Sequence, residues 1–285
     1  MVCNMKTLQR FSQIFSALFY NSYFYGFYYR NIYQGSLKLA PCPGLNCHSC
    51  PSAIFSCPVG AFQLFIEYGK YHIPFYIMGF IGAVGALGGR IVCGWACPFG
   101  FFQDVLYKIR APKLEIHRIM NYGKYVILII LAICIPFITG EPWFCKLCPA
   151  GTLEAGIPLL SLNGELRDQA GMLFVLKIVI LAAFIIWMIV SKRPFCRTVC
   201  PLGALYSLFN PISMVKIDVD NEKCIQCNHC FKKCPMSIKI YEEGGASGNC
   251  IRCFQCTTCP AGAVKFRFKL TRQPSCGSAT IMQRR

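Results

Sequence analysis

The chain has 285 residues, 21 of them cysteine, and carries 29 Lys+Arg against 12 Asp+Glu for a formal net charge of +17. An apolar content of 55% excludes low-complexity disorder, and 14% charged residues are too few to cover an ordinary cytosolic enzyme. Length and an odd cysteine count exclude a small disulfide-stapled domain, and positive charge beside long apolar segments points to a membrane before nucleic acid, for which no recognition motif is visible.

Four stretches approach the roughly 20 mainly apolar residues that a bilayer crossing requires: residues 11–29, 73–92, 122–139 and 172–190. The first is aromatic-rich and carries Asn21, so an interfacial helix is its alternative reading. The second is punctuated by Gly79, Gly82, Gly85, Gly88 and Gly89, which permits close helix packing. The fourth is the clearest, and its Lys177 is expected to snorkel to the nearer interface. No cleavable signal peptide is evident. With four crossings, one side carries Lys6, Arg10, Lys108, Arg110, Lys113, Arg118, Lys192, Arg193 and Arg197. The other carries Arg30, Lys38, Lys70, Lys146 and Arg167 together with most of the acids, which places both termini in the cytoplasm. His72 and His117 flank crossings and are minor candidates for a quinone or haem contact.

Cysteine falls in groups between these stretches. The extracytoplasmic loops hold Cys42-Pro-Gly-Leu-Asn-Cys47-His-Ser-Cys50, Cys57-Pro58-Val-Gly60 and Cys145-Lys-Leu-Cys148-Pro149-Ala-Gly151. Six thiols exceed the needs of one [4Fe–4S] cubane, so four ligands are expected from Cys47, Cys50, Cys57, Cys145 and Cys148, with Cys42 the spare. Disulfides are the competing reading on that face. On the cytoplasmic side Arg90-Ile-Val-Cys93-Gly-Trp-Ala-Cys97-Pro98-Phe-Gly100 recurs as Arg193-Pro-Phe-Cys196-Arg-Thr-Val-Cys200-Pro201-Leu-Gly203. Each copy follows an apolar stretch and runs into a short aromatic helix. Cys93, Cys97, Cys196 and Cys200 are therefore expected to meet and hold one cluster, with buried metal-free thiols as the alternative.

Beyond Asn210 the sequence becomes polar and cysteine-dense, with Cys224-x2-Cys227-x2-Cys230-x3-Cys234-Pro235 followed by Cys250-x2-Cys253-x2-Cys256-x2-Cys259-Pro260. Residues 214–269 resemble two-cluster bacterial-type ferredoxins. The resemblance implies one [4Fe–4S] cluster on Cys224, Cys227, Cys230 and Cys259 and another on Cys250, Cys253, Cys256 and Cys234. The second run is one residue short before Cys259, which makes that ligand the departure from the pattern. Structural zinc is the competing use of such spacing.

Over residues 73–265 the chain also resembles the membrane polyferredoxins of the NapH type, to which NosR and CcoG are related by shared modules. The motifs that carry this are Cys93-Gly-Trp-Ala-Cys97-Pro-Phe-Gly-Phe-Phe-Gln-Asp104, Cys196-x3-Cys200-Pro and the double ferredoxin run. The resemblance implies electron transfer between a cytoplasmic donor (a ferredoxin or flavoprotein) or a quinol and an extracytoplasmic flavin-bearing or metalloenzyme acceptor. Quinol dehydrogenation, metal-ion reduction and an anchor for iron–sulfur or metalloenzyme assembly are the other functions weighed.

The expectation is thus an α-helical integral membrane protein of about four transmembrane helices plus re-entrant or interfacial helices. It comprises a membrane domain (1–210), a small α+β two-cluster ferredoxin domain (211–270) and a tail (271–285). The expected seat is the cell membrane, in contact with lipid, with the ferredoxin domain cytoplasmic. The Cys-Pro-x-Gly helices are expected to re-enter the membrane, since roughly 30 Å of hydrocarbon is far for one electron hop.

Overall fold

In a computed structural model, residues 5–68, 75–168 and 171–268 are described. Cys3, Lys70, His72, Cys276 and the tail from residue 271 lie outside them. The architecture is mostly helical, with a single two-stranded antiparallel sheet among the described residues.

Among the described residues two helices are long and apolar enough to cross a membrane, Arg118–Thr139 and Met172–Val190. A shorter apolar helix, Phe75–Gly88, has 14 residues. The expected first crossing is not one helix but two, Met5–Tyr20 and Tyr25–Tyr29. Asn21 breaks it: its side-chain amide donates to the Ala17 carbonyl at 3.0 Å and to Asn46 Oδ1 at 2.9 Å. The Tyr23 amide then leaves for the Ser52 carbonyl. Helix Met5–Tyr20 is amphipathic in the inverse sense of a soluble helix. It buries Gln9 and Gln13 and exposes Phe11, Phe15, Leu18 and Phe19, the arrangement in which protein supplies the polar partners and the surroundings are apolar.

Helix Arg118–Thr139 contains a π-helical stretch at Leu128–Cys134 with a local cause. Pro136 has no N–H to offer the Ala132 carbonyl four residues back. Gln63, which is fully buried, sends its Nε2 to the carbonyls of Leu131 and Ala132 at 3.3 and 3.5 Å. Its Oε1 accepts the Cys145 amide at 3.2 Å. One glutamine thus satisfies the proline-freed carbonyl and fixes the start of a cysteine motif.

The ferredoxin-like part is bracketed by strands Val215–Val219 and Val264–Phe268, paired with Val215 opposite Phe268 and Val219 opposite Val264. Buried Ile217, Met236, Ile238, Ile240, Ile251 and Val264 pack between the sheet and the cysteine loops. This core is continuous with that of the helical part.

Candidate metal centres

The two copies of the Cys-x3-Cys-Pro motif fold alike. The first cysteine of each lies in a short helix, Ile91–Trp95 or Pro194–Thr198. The second is the residue capping the next helix, Pro98–Leu106 or Pro201–Phe209. Proline at the first helical position loses no hydrogen bond there, and the cysteine sulfur takes the place of a capping oxygen. The Gly203 amide donates to Cys200 Sγ at 3.3 Å, and Gln103 Nε2 donates to Cys196 Sγ at 3.0 Å. Cys93, Cys97, Cys196 and Cys200 are all buried and lie within electrostatic reach of one another. We refer to them as the inner quartet.

Two arginines cross between the copies. Arg90 Nη2 donates to the Cys196 carbonyl at 2.9 Å, and Arg193 Nη1 donates to the Cys93 carbonyl at 2.7 Å. Arg193 also grips both carboxylate oxygens of Asp104. The glycine of each Cys-Pro-x-Gly makes room for the other copy's arginine. A Cβ at Gly203 would stand 2.8 Å from Arg90 Nη2, and one at Gly100 3.3 Å from Arg193 Nη1. Arg90 and Arg193 precede Cys93 and Cys196 by the same three residues, which was the available signal; their exchange needed the fold.

At the other cysteine groups the structure separates Cys50 from the cavity that the other four line, although Cys47 packs against both. Cys47, Cys57, Cys145 and Cys148 line one cavity of about 320 Å3 together with His48, Lys146 and Lys177. A Cβ at Gly60 would lie 3.6 Å from Cys145 Sγ, and one at Gly151 3.4 Å from Cys47 Sγ. Burial pushes the Cys148 thiol up to about 12, opposed by amide hydrogen bonds from Gly151 and Ala150. Cys50 is not brought to this outer quartet: its sulfur meets the Ser52 hydroxyl at 3.3 Å beside Ala53 and Ala155. Lys177 lines this cavity, where its charge acts on Cys145. Glu154 accepts the Cys47 amide at 2.7 Å, and burial pushes its carboxyl up to about 7.

Cys42 and the residues after it join the two quartets. Cys42 is 1% exposed, and its sulfur lies within electrostatic reach of Cys57 in the outer quartet and Cys97 in the inner one. A Cβ at Gly44 would stand 3.2 Å from both the Ala96 carbonyl oxygen and Cys97 Cα. Burial pushes the Cys97 thiol up, and backbone hydrogen bonds from Leu45 and Gly100 act the other way. The Cys57 thiol is likewise raised by burial and lowered by the amides of Gly60, Val59 and Asn46. Adjacent residues 45 and 46 therefore touch one sulfur in each quartet. Fully buried Tyr206 holds this segment through its hydroxyl, which donates to the Pro43 carbonyl at 3.1 Å.

In the ferredoxin-like part, Cys224, Cys227, Cys230 and Cys259 line one hollow, and Cys234, Cys250, Cys253 and Cys256 line another. Cys259 takes its place despite the shortened run. Both runs use the same turn: Gln226 and Asn228 flank Cys227 at positive φ, as Arg252 and Phe254 flank Cys253. Alternation with the left-handed region turns successive amides toward one concave side. Buried Arg252 docks this part on the helices, donating to the carbonyls of Gly88 at 2.9 Å and Asn210 at 2.6 Å and to the Ser213 hydroxyl. Asn210 Nδ2 donates at 2.8 Å to the carbonyls of Ser247 and Cys250, while its Oδ1 accepts the Arg90 amide. Trp95 Nε1 donates to the Arg252 carbonyl at 3.0 Å. Residues 248–252 thereby lie directly over the Cys93–Cys97 turn.

The donor chemistry fits [4Fe–4S] clusters. Each site offers four thiols, the two membrane-side sites are buried, and backbone amides point at their sulfurs. Every cysteine among the described residues is a free thiol. Among those residues no three His, Cys, Asp or Glu side chains converge closely enough to ligate one metal ion. His117 is exposed and accepts the Ile119 amide through Nδ1.

The fold and these thiol sites define an iron–sulfur protein, and comparison with known proteins agrees. The 4Fe-4S binding domain family matches residues 72–117, 123–158 and 173–218. The protein MJ0750 of Methanocaldococcus jannaschii is 33% identical over 196 residues, covering 65% of this chain and 75% of that protein. The methylamine utilization ferredoxin-type protein MauN of Methylorubrum extorquens is 30% identical over 52% of this chain and 48% of its own length. The ferredoxin-type protein NapH of Escherichia coli is 23% identical over 59% of this chain and 58% of its own. The chain thus spans about half the length of the MauN and NapH proteins it matches. No solved structure matches. The chain belongs to the 4Fe-4S-binding, ferredoxin-type proteins of the NapH kind.

Proposed function

We propose that this protein is a membrane-seated electron-transfer protein that holds four [4Fe–4S] clusters and relays electrons between the cytoplasmic and extracytoplasmic faces. The observation that carries the reading is the succession of four cysteine quartets, each in backbone contact with the next. The ligands are Cys224, Cys227, Cys230 and Cys259, then Cys234, Cys250, Cys253 and Cys256, then Cys93, Cys97, Cys196 and Cys200, then Cys47, Cys57, Cys145 and Cys148. A bound cluster supplies a one-electron carrier whose potential follows the charge and hydrogen bonds around its sulfurs.

The protein's own residues set those conditions. Gln103 and the Gly203 amide donate to inner-quartet sulfurs, which stabilises the more negative state of a thiolate site. Arg90 and Arg193 place positive charge at the same quartet, while burial of its thiols excludes water. The helix His229–Lys233 ties Cys230 to Cys234 and so sets the separation of the ferredoxin-like sites. Residues 42–46 carry the extracytoplasmic loop down to Cys97, which shortens the protein-lined gap between faces in place of an open 30 Å of hydrocarbon.

In this reading four helical segments cross or enter the cell membrane, both termini lie in the cytoplasm, and lipid surrounds the exposed apolar faces. A reduced ferredoxin, flavoprotein or quinol is the donor, and a flavin-bearing or metalloenzyme partner on the far side is the acceptor. The test is iron and acid-labile sulfide analysis with low-temperature EPR on anaerobically purified protein. About 16 iron and as many sulfide per chain are expected. About 12 would remove the outer site, and zinc in place of iron would overturn the reading.

A further inference from the structure

A cleft of about 650 Å3 opens where the N-terminal turns of helix Met5–Tyr20, the end of helix Pro98–Leu106, residues 192–193 and the ferredoxin-like part meet. Its size falls in the range of small-molecule sites, roughly 300–1,000 Å3. Seven cations line it: Lys6, Arg10, Lys108, Lys192, Arg193, Lys232 and Lys233. Within the lining they outnumber their negative partners, although Glu115, outside it, lies within electrostatic reach of Lys192. Lys192 donates to the carbonyls of Lys232 and Cys234 and Lys233 to the Thr258 hydroxyl, all neutral acceptors. The one carboxylate in the lining, Asp104, is held on both oxygens by Arg193.

We propose that this cleft binds a phosphate-bearing ligand. Like charges gathered around one concavity repel, and several negative oxygens on one group relieve all of them at once. Arg10 supplies a planar fork for two such oxygens, and the lysines supply mobile point charges. Lys192 follows directly on the membrane-length helix Met172–Val190, so the cleft sits at the depth where a lipid headgroup would present its phosphate. A free phosphate compound from the cytoplasm has the same chemistry and reaches the same opening. The Cys234 carbonyl, fixed by Lys192, forms part of the wall, so the bound anion would stand beside a ferredoxin-like quartet. This site goes beyond the electron-transfer reading and does not depend on it.

The test uses the full chain in neutral detergent at physiological salt with two probes. Inorganic pyrophosphate is titrated calorimetrically, and native mass spectrometry follows retention from mixed phosphatidylcholine and phosphatidylglycerol. Saturable one-to-one binding of at least one probe is expected. It should weaken about tenfold or more in the Lys108→Glu/Lys232→Glu protein and stay unchanged in Lys265→Glu, an exposed cation on strand Val264–Phe268. Selective retention of phosphatidylglycerol without pyrophosphate binding assigns the site to a headgroup, and the converse assigns it to a free phosphate compound. If the double variant loses iron, Arg10→Gln and Lys108→Gln carry the same comparison. Saturable binding of neither probe, or undiminished binding in the variants with iron intact, overturns the proposal.

Discussion

Replacing Arg193 with methionine would keep most of the side chain's bulk and remove the guanidinium that joins the two motif copies. Arg193 is 1% exposed and holds both Asp104 oxygens and the Cys93 carbonyl. Breaking a buried ion pair by removing one member costs about 3–5 kcal/mol. The Asp104 side chain is 24% exposed, so water relieves part of its loss and about 3 kcal/mol is the appropriate end of that range. The stranded Cys93 carbonyl adds about 1–2 kcal/mol. A loss of about 4–5 kcal/mol is a large share of the roughly 5–15 kcal/mol that holds a domain folded. At about 2–4 °C per kcal/mol for a chain of this size it lowers the apparent Tm by roughly 8–20 °C. The assay is bleaching of the iron–sulfur absorbance on anaerobic heating, with iron content measured beside it. Arg193→Lys retains the charge but not the fork and should fall between. Asp104→Asn added to Arg193→Met should cost little more, because the unpaired charge has gone. An Arg193→Met protein with full iron and a Tm within about 2 °C of the parent would refute the role given to the crossed arginines.

Three further outcomes are expected. Gly44→Val forces branched carbons against Ala96 and Cys97, so Cys42, closed to solvent in the parent, should become reactive to a maleimide; an unreactive Cys42 would show that the segment tolerates displacement. Cys57→Ser should lower bound iron by about four atoms per chain while Cys50→Ser leaves it unchanged, and equal losses in the two would return Cys50 to the ligand set. Asn210→Ala removes two donated hydrogen bonds and the acceptor of the Arg90 amide, a cost of about 2–4 kcal/mol. It should speed limited proteolysis after residue 210, and an unchanged digestion rate would place the docking strength elsewhere.

Much of the site was legible because cluster ligands are bound by spacing. The cysteines of the two ferredoxin-like runs line two hollows, and those of the paired Cys-x3-Cys-Pro copies lie within electrostatic reach of one another, groupings already suggested by their intervals. The choice among the outer cysteines was not legible. Cys50 and Cys47 share one loop, and only the course of that loop toward Glu154 and Gly151 separates them. The two helices with crossing length, Arg118–Thr139 and Met172–Val190, were plain from composition. The division of residues 11–29 turns on one side-chain contact, Asn21 with Asn46, between segments 25 residues apart. Arg90, Arg193 and Arg252 stood inside or beside the motifs, yet a sequence gives no sign that a charged residue will be wholly buried against backbone carbonyls.

The crossed arginines also bear on how the protein is made. Arg193 and Cys93 are 100 positions apart, so at about 5–20 residues per second the first copy waits roughly 5–20 s for its counterpart during synthesis. Throughout that interval Cys93 and Cys97 have half a ligand set. The segment that roofs this turn, residues 248–252, emerges later still, and once Arg252 and Asn210 engage it the turn is closed. On the four-cluster reading proposed above, loading of the inner quartet would fall between two events, completion of the second copy and docking of the ferredoxin-like part. A chain that folded its last sixty or so residues too eagerly would seal an empty site, which makes the timing of metal delivery part of what this architecture demands of its cell.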